Sequence, residues 1–117
     1  MSTPQFIYKI TTRAVFAPAE ESGAFRGMPI DARDGYMHFS TAAQLRDTLR
    51  LHFAGEDDLL LLAVRTADIA DKLKWEPSRG GDLFPHLYGD LPVSTIAWQE
   101  TISVAPDGKT TLPEAVR

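Results

Sequence analysis

Asp34-Gly35-Tyr36-Met37-His38-Phe39-Ser40-Thr41 reads as a strand that runs directly into a helix. Side chains alternate across a strand, so Met37 and Phe39 point into a core while Tyr36, His38 and Ser40 share the opposite face. A phenol, an imidazole and a hydroxyl in one row make a candidate polar site without specifying its chemistry. Thr41 followed by Gln44 is a capping-box pattern and predicts a helix from Ala42 to about Ala54, with Leu45, Leu49 and Phe53 as its buried stripe. Unpaired N–H groups and the positive end of such a helix favour a phosphate or carboxylate. The hydroxyls of Ser40 and Thr41 also serve simply as caps, and both readings stand.

Upstream, Gln5 to Thr12 alternates, with Phe6, Tyr8 and Ile10 on one face and Ile7, Lys9 and Thr11 on the other, and predicts a first strand. Arg13 to Glu21 follows as a short helix. Gly23, Gly27, Pro29 and the Asp31 to Gly35 cluster predict an irregular connection bordering a pocket. Downstream, Asp58 to Arg65 is a continuous apolar strand, central and covered on both faces. A short helix from Thr66 or Asp68 comes next, with Ile69 and Leu73 facing inward. Glu76 to Asp82, with Pro77 and Gly80-Gly81, predicts a mobile surface loop, and Leu83 to Gly89 an extended edge segment because Pro85 cannot donate to a central ladder.

Thr95 to Val104 alternates again, and Glu100 falls on its apolar face. A carboxylate there is costly unless it is paired, exposed near an edge, or functional. The Pro106-Asp107-Gly108 turn predicts a last strand over Lys109 to Leu112, and residues 1–4 and 113–117 are expected to fray.

The 117 residues, with no internal repeat, predict one domain that needs no disulfide or metal staple. Cysteine is absent, which removes disulfides, thiolate metal sites and thiol nucleophiles together. Twelve basic against sixteen acidic residues give a net charge of -4, which disfavours bulk nucleic-acid binding and anionic membranes. The longest apolar run, Leu59 to Val64, is far short of the roughly 20 residues of a membrane helix, and no signal peptide is visible. A cytoplasmic location is the default expectation.

No metal is expected, because His38, His52 and His86 lie on different elements and no H-E-x-x-H pair is present. Ser40 lacks the G-x-S-x-G context of an esterase nucleophile, and there is neither a Walker loop nor a G-x-G-x-x-G. His38 and Ser40, two residues apart on a strand, line a pocket together more readily than they form a dyad.

Phe6-Ile7-Tyr8-Lys9-Ile10, the Asp34 to Thr41 stretch, Trp75-Glu76 and Phe84-Pro85-His86-Leu87-Tyr88-Gly89 resemble, over nearly the whole chain, the domain of unknown function 952 family of small bacterial proteins. The resemblance implies an α+β, ADP-ribosyltransferase-like fold: two small apposed β-sheets with peripheral helices around a cleft that holds NAD in relatives. His38-Phe39-Ser40-Thr41 resembles the second-strand motif of that fold, also in the form seen in RNA 2'-phosphotransferases. Tyr8 and Lys9 stand where a first-strand histidine or arginine is found, and Glu100 is only a positional candidate for the late carboxylate.

The expectation is a cleft that binds a nucleotide or other small anionic ligand, with NAD as a possible substrate and an RNA end as a weaker one. His38 and Glu100 are its candidate catalytic residues, and Tyr8, Lys9, Tyr36, Ser40, Thr41, His86 and Tyr88 its candidate ligand contacts. ADP-ribosyl or phosphoryl-type transfer is the implied chemistry. The alternative is a noncatalytic sensing or interaction domain in which His86 and Tyr88 bond backbone groups near Pro85.

Overall fold

Leu59–Arg65 is the strand on which both halves of the core are built: six of its seven residues are buried, alternately on one face and the other. In the computed structural model, which describes residues 3–117 apart from the side chain of Arg79, the order begins β1 (Phe6–Thr12), α1 (Arg13–Ser22), β2 (Ala24–Phe25) and α2 (Pro29–Asp34). It continues through β3 (Met37–His38), α3 (Ala42–His52), β4 (Leu59–Arg65), β5 (Leu73–Ser78), β6 (Asp82–Leu87), β7 (Leu91–Pro92) and β8 (Ile96–Ile102). Three 3-10 segments, Thr66–Lys72, Arg79–Gly81 and Val93–Thr95, join the later strands. The result is an α+β domain of small antiparallel sheets with few helices: β1-β4-β8, β3-β6-β5 and the two-residue pair β2-β7.

Leu60, Leu62 and Val64 pack with Ile7, Phe16, Phe25, Met37, Phe39 and Leu87, so one core lies between the first sheet and the β3-β6-β5 sheet. Leu59, Leu61 and Ala63 pack with Tyr8, Ile10, Leu45, Leu49 and Ile102, and this second core lies under α3. A strand covered on both sides has no polar face to show water, which is why its sequence is continuously apolar. The helix start is as the sequence indicates: Thr41 Oγ1 accepts from Gln44 N (3.3 Å) and Gln44 Oε1 accepts from Thr41 N (3.0 Å). Leu45 and Leu49 are buried on its inner stripe.

Between residues 36 and 41 the predicted alternation holds, with Met37 and Phe39 in the core. The named strand, however, is only Met37–His38. Pro85 explains why. Residues of a hydrogen-bonded antiparallel pair exchange two bonds; Phe39 N donates to Pro85 O (3.0 Å), but Pro85 has no N–H to return. The ladder stops, and the chain turns to pair Ser40 with Tyr8 on β1, where Tyr8 N donates to Ser40 O (2.8 Å) and Ser40 N to Tyr8 O (2.9 Å). The two larger sheets meet at this seam.

Several expectations need correction. The connection at 23–35 holds a short strand and a helix. Glu76 to Asp82 is not a loop: Leu73–Ser78 pairs fully with β6 through the tight turn at Arg79–Gly81. The Pro85 segment is the middle strand of its sheet, not an edge, because proline breaks only one of the two ladders it borders. No strand forms over Lys109 to Leu112; a turn closes instead, with Ala105 N donating to Lys109 O (2.9 Å). The C-terminal residues are tied down: the Tyr8 hydroxyl accepts from Arg117 N (2.9 Å) and donates to Arg117 O (3.2 Å), while Leu112 and Val116 pack on the second core. At the other end, fraying of residues 1 and 2 lies outside the described residues.

Leu62 has no exposed surface. Truncating Leu62→Ala is expected to cost about 2–5 kcal/mol of stability through lost burial and the cavity left behind. Urea unfolding would measure it, and an unchanged midpoint would contradict the central placement of β4.

Candidate functional site

The site is organised by a carboxylate in the segment between residues 23 and 35. Pro29 occupies the first position of α2, where a missing N–H costs nothing, and Asp31, two residues on, reaches back so that its Oδ2 accepts from Met28 N (2.6 Å). Gly27 makes room: its φ is +96°, and a Cβ there would stand 2.6 Å from Asp31 Oδ2. The same oxygen meets Lys9 Nζ at 2.7 Å, while Oδ1 accepts from His38 N (3.0 Å) and faces His38 Nδ1 (2.7 Å). Lys9 Nζ also donates to His38 O (3.0 Å).

The Lys9 and Asp31 side chains are only 4% and 2% exposed, so each charge depends on the other. Burial by itself would raise the Asp31 carboxyl; the His38 hydrogen bonds together with the Lys9 charge overcome it and bring the group down to about 2. Burial pushes the Lys9 ammonium below its usual value, with Asp31 opposing the shift. His38 Nε2 faces a second carboxylate, Asp34 Oδ2, at 3.1 Å. Only the doubly protonated ring donates at both nitrogens.

His86 lies directly across the ladder from His38, their ring centroids 5.4 Å apart. Tyr36 stacks on His86 at 4.1 Å and tilts against His38 and Tyr88, so its ring holds the row together. From β5, Glu76 Oε1 accepts from the Tyr88 hydroxyl (2.6 Å) and faces His86 Nδ1 (2.8 Å). These bonds, from Tyr88 first and then His86, hold the Glu76 carboxyl below its usual range. The bond to Glu76 raises the Tyr88 phenol to about 12. His86 and Tyr88 therefore bond a carboxylate, not backbone groups near Pro85. Among the described residues, His86 Nε2 is buried without a hydrogen-bond partner.

At the seam between the sheets lies a cavity of about 400 Å³. Of the residues singled out from the sequence, Tyr8, Lys9, His38, Ser40 and His86 line it. Its apolar wall comes from Ile10, Met28, Ile30, Phe39, Phe53 and Phe84. Ser40 Oγ lies 3.1 Å from Thr48 Oγ1. Tyr36 and Tyr88 stand behind the histidines, outside the lining, and Lys74 Nζ sits 4.8 Å over the Tyr88 ring. Thr41 caps α3 and borders a separate shallow depression. Glu100 is exposed on the edge strand β8, opposite Leu61, and borders a wider groove with Ser103 and Lys109. His38 and His86 thus converge on one cavity, and Glu100 does not join them.

Sequence reasoning missed Asp31, Asp34 and Glu76. A signal existed for the first: proline followed two residues later by aspartate is a helix-start pattern. Glu76 was readable only once Lys74-Trp75-Glu76 was taken as a strand. Among the described residues, no three histidine, aspartate or glutamate side chains are grouped to hold a metal ion. No helix among them is long and apolar enough to cross a membrane.

Residues 10–99 match the family model described as protein of unknown function (DUF952). The chain is similar to the crystal structure of protein CC0527 from Caulobacter crescentus, at 40% identity and a TM-score of 0.85, over 91% of this chain and 93% of that one. A double methionine mutant of CC0527 gives the same figures. Its solution NMR structure gives a TM-score of 0.79 at 40% identity, covering 90% of each chain. No curated protein matches the chain.

A carboxyl whose folded value is depressed contributes stability that is complete above its unfolded value and is lost as pH falls through the folded one. The Asp31 contribution is therefore expected to be intact above about pH 4 and to disappear toward pH 2, since the group moves from 3.8 to about 2. Asp31→Asn should flatten that part of the stability-versus-pH curve. It should also cost about 3–5 kcal/mol at neutral pH by stranding the Lys9 charge. A variant as stable as the parent in chemical denaturation would refute the pairing.

Glu76→Gln should lower the Tyr88 phenol from about 12 toward its usual 10.0, followed by the ring-carbon NMR shift of Tyr88 through an alkaline titration. An unmoved transition would show that Glu76 does not hold the hydroxyl.

Proposed function

The chain belongs to the DUF952 family of proteins of unknown function, and from the site it builds we propose that it binds a small organic molecule in the cavity between its sheets. The observation that carries this reading is the cavity itself: about 400 Å³, mostly apolar in lining, with two imidazoles brought to it from facing strands. Pockets that take small ligands have this make-up, an apolar enclosure with a few convergent polar groups.

The charge balance favours a ligand with little net charge. Among the described residues, Lys9 is matched by Asp31, and a protonated His38 by Asp31 and Asp34, so these side chains leave no surplus cation for a polyphosphate. Tyr88 does not offer a free face for a base, because Lys74 sits over its ring and Tyr36 tilts against it.

The more specific form of the proposal is an ADP-ribosyltransferase-like fold with NAD as substrate. It draws support from two sheets packed on a common core and from Ser40 beside His38 in the cavity. It also requires a carboxylate at the cleft; Glu76 reaches His86, Asp31 and Asp34 reach His38, and Glu100 reaches neither. A sensing domain that binds without chemistry uses the same cavity.

The test is an amide NMR titration with toluene, phenol, NAD and ADP-ribose. The two small aromatics are expected to shift Ile10, Ser40, Phe53 and Phe84, while Thr101 to Ala105, beside the other groove, stay unmoved. Shifts from NAD or ADP-ribose alone would favour the nucleotide form, and no shift at the cavity with any of the four would overturn the proposal.

A further inference from the structure

His86 stands apart from every other polar side chain of the cavity. Its side chain is 3% exposed, its Nδ1 is 2.8 Å from Glu76 Oε1, and its Nε2 is buried with no partner among the described residues. Leaving a buried polar atom unmade costs the full desolvation of that group, and native structures do so rarely. The carboxylate decides what kind of atom is left over. Glu76 accepts a second bond from Tyr88 on the same oxygen, so it is the acceptor toward His86 as well, and the Nδ1 proton is the one donated. In the neutral ring, Nε2 is then a bare lone pair.

A carboxylate that fixes an imidazole through Nδ1–H and leaves Nε2 as the proton acceptor is the arrangement of a general base. The ring is also held in orientation by Tyr36, stacked at 4.1 Å with an interplanar angle of 28°. His38 is the contrast: both its nitrogens face carboxylate oxygens, and neither is spare.

We propose that Glu76 and His86 form a proton-accepting pair for a ligand with an apolar, ring-sized body and a weakly acidic hydroxyl of the phenol or enol type. The inference rests on the small-molecule reading of the cavity and adds the ligand class and the atom that receives it. The hydroxyl donates to Nε2. On transfer, the O–H bond breaks, its electron pair stays on the ligand oxygen, and the proton forms the second N–H of the imidazolium. Glu76 keeps its bond to Nδ1–H and balances the new positive charge. The apolar body lies against Phe39, Phe53 and Phe84, which line the same space. No oxidant or co-reactant enters the step.

The test uses the whole chain and two probes, phenol and toluene, which share a ring and differ in the hydroxyl. Long-range proton–nitrogen spectra of the free protein are expected to show His86 protonated on Nδ1, with Nε2 moving on addition of phenol and not of toluene. Phenol is expected to bind about tenfold more tightly than toluene, the worth of one hydrogen bond to a buried acceptor. Glu76→Gln should remove most of that difference while leaving toluene binding unchanged, and this variant keeps the size of the side chain if His86→Phe fails to fold. A proton on Nε2 in the free protein, or equal binding of phenol and toluene, would overturn the pair as acceptor while leaving the cavity reading intact. Failure of both probes to bind would overturn the cavity reading itself.

Discussion

The buried Asp31 carboxylate is the interaction on which the rest depends. It joins three separate pieces of chain: Lys9 on the first strand, Met28 at the start of a short helix, and His38 on the strand that enters the cavity. Lys9 sits in a strand paired along its length with β4, but the other two pieces are not held strongly by their own secondary structure. The helix from Pro29 has six residues and the strand at Met37–His38 has two, well below what either element sustains alone in water. A single charged acceptor with four donors supplies the order that length does not. Desolvating it is costly, so the arrangement works only because every lone pair is used.

That hub also separates the roles of two histidines that the backbone treats alike. His38 and His86 face each other across one ladder, yet one ring is enclosed by carboxylates on both sides and the other by a carboxylate on one. Environment, not residue type, sets which imidazole has capacity to spare. The same logic applies to the carboxylates. Glu76 is fixed by two donors, whereas Glu100, exposed on an edge strand, serves the bland role that acidic residues on apolar-looking strands usually have.

Much of the fold was legible where one physical signal acted alone. The apolar run Leu59 to Val64, the capping box of Thr41 and Gln44, and the alternation from Tyr36 to Ser40 each depend on local sequence, and each appears as read. What escaped was set by distant partners. Pro85 argued for an edge because only one residue was in view, and the chain that borders it, Phe39, lies far away in sequence. Glu76 looked like loop material beside Pro77 and two glycines, although those residues form the end of a hairpin. Asp31 sat among turn-forming residues, and nothing local announced a buried lysine twenty-two positions earlier. The candidate site was therefore found in part: the histidines were visible as types, but the carboxylates that assign their tasks were not.

Pro85 has a further consequence. Were its nitrogen able to donate, Phe39 and Pro85 would be joined by two bonds, and the register already set at His38 and His86 would carry Ser40 on toward Phe84. The two walls of the cavity would close like a zipper drawn one tooth further. One absent hydrogen instead releases the strand to the neighbouring sheet and leaves Ser40 and Phe84 on either side of an open space. The chamber is thus made by subtraction, by a donor withheld at one position and not by a residue added to form it.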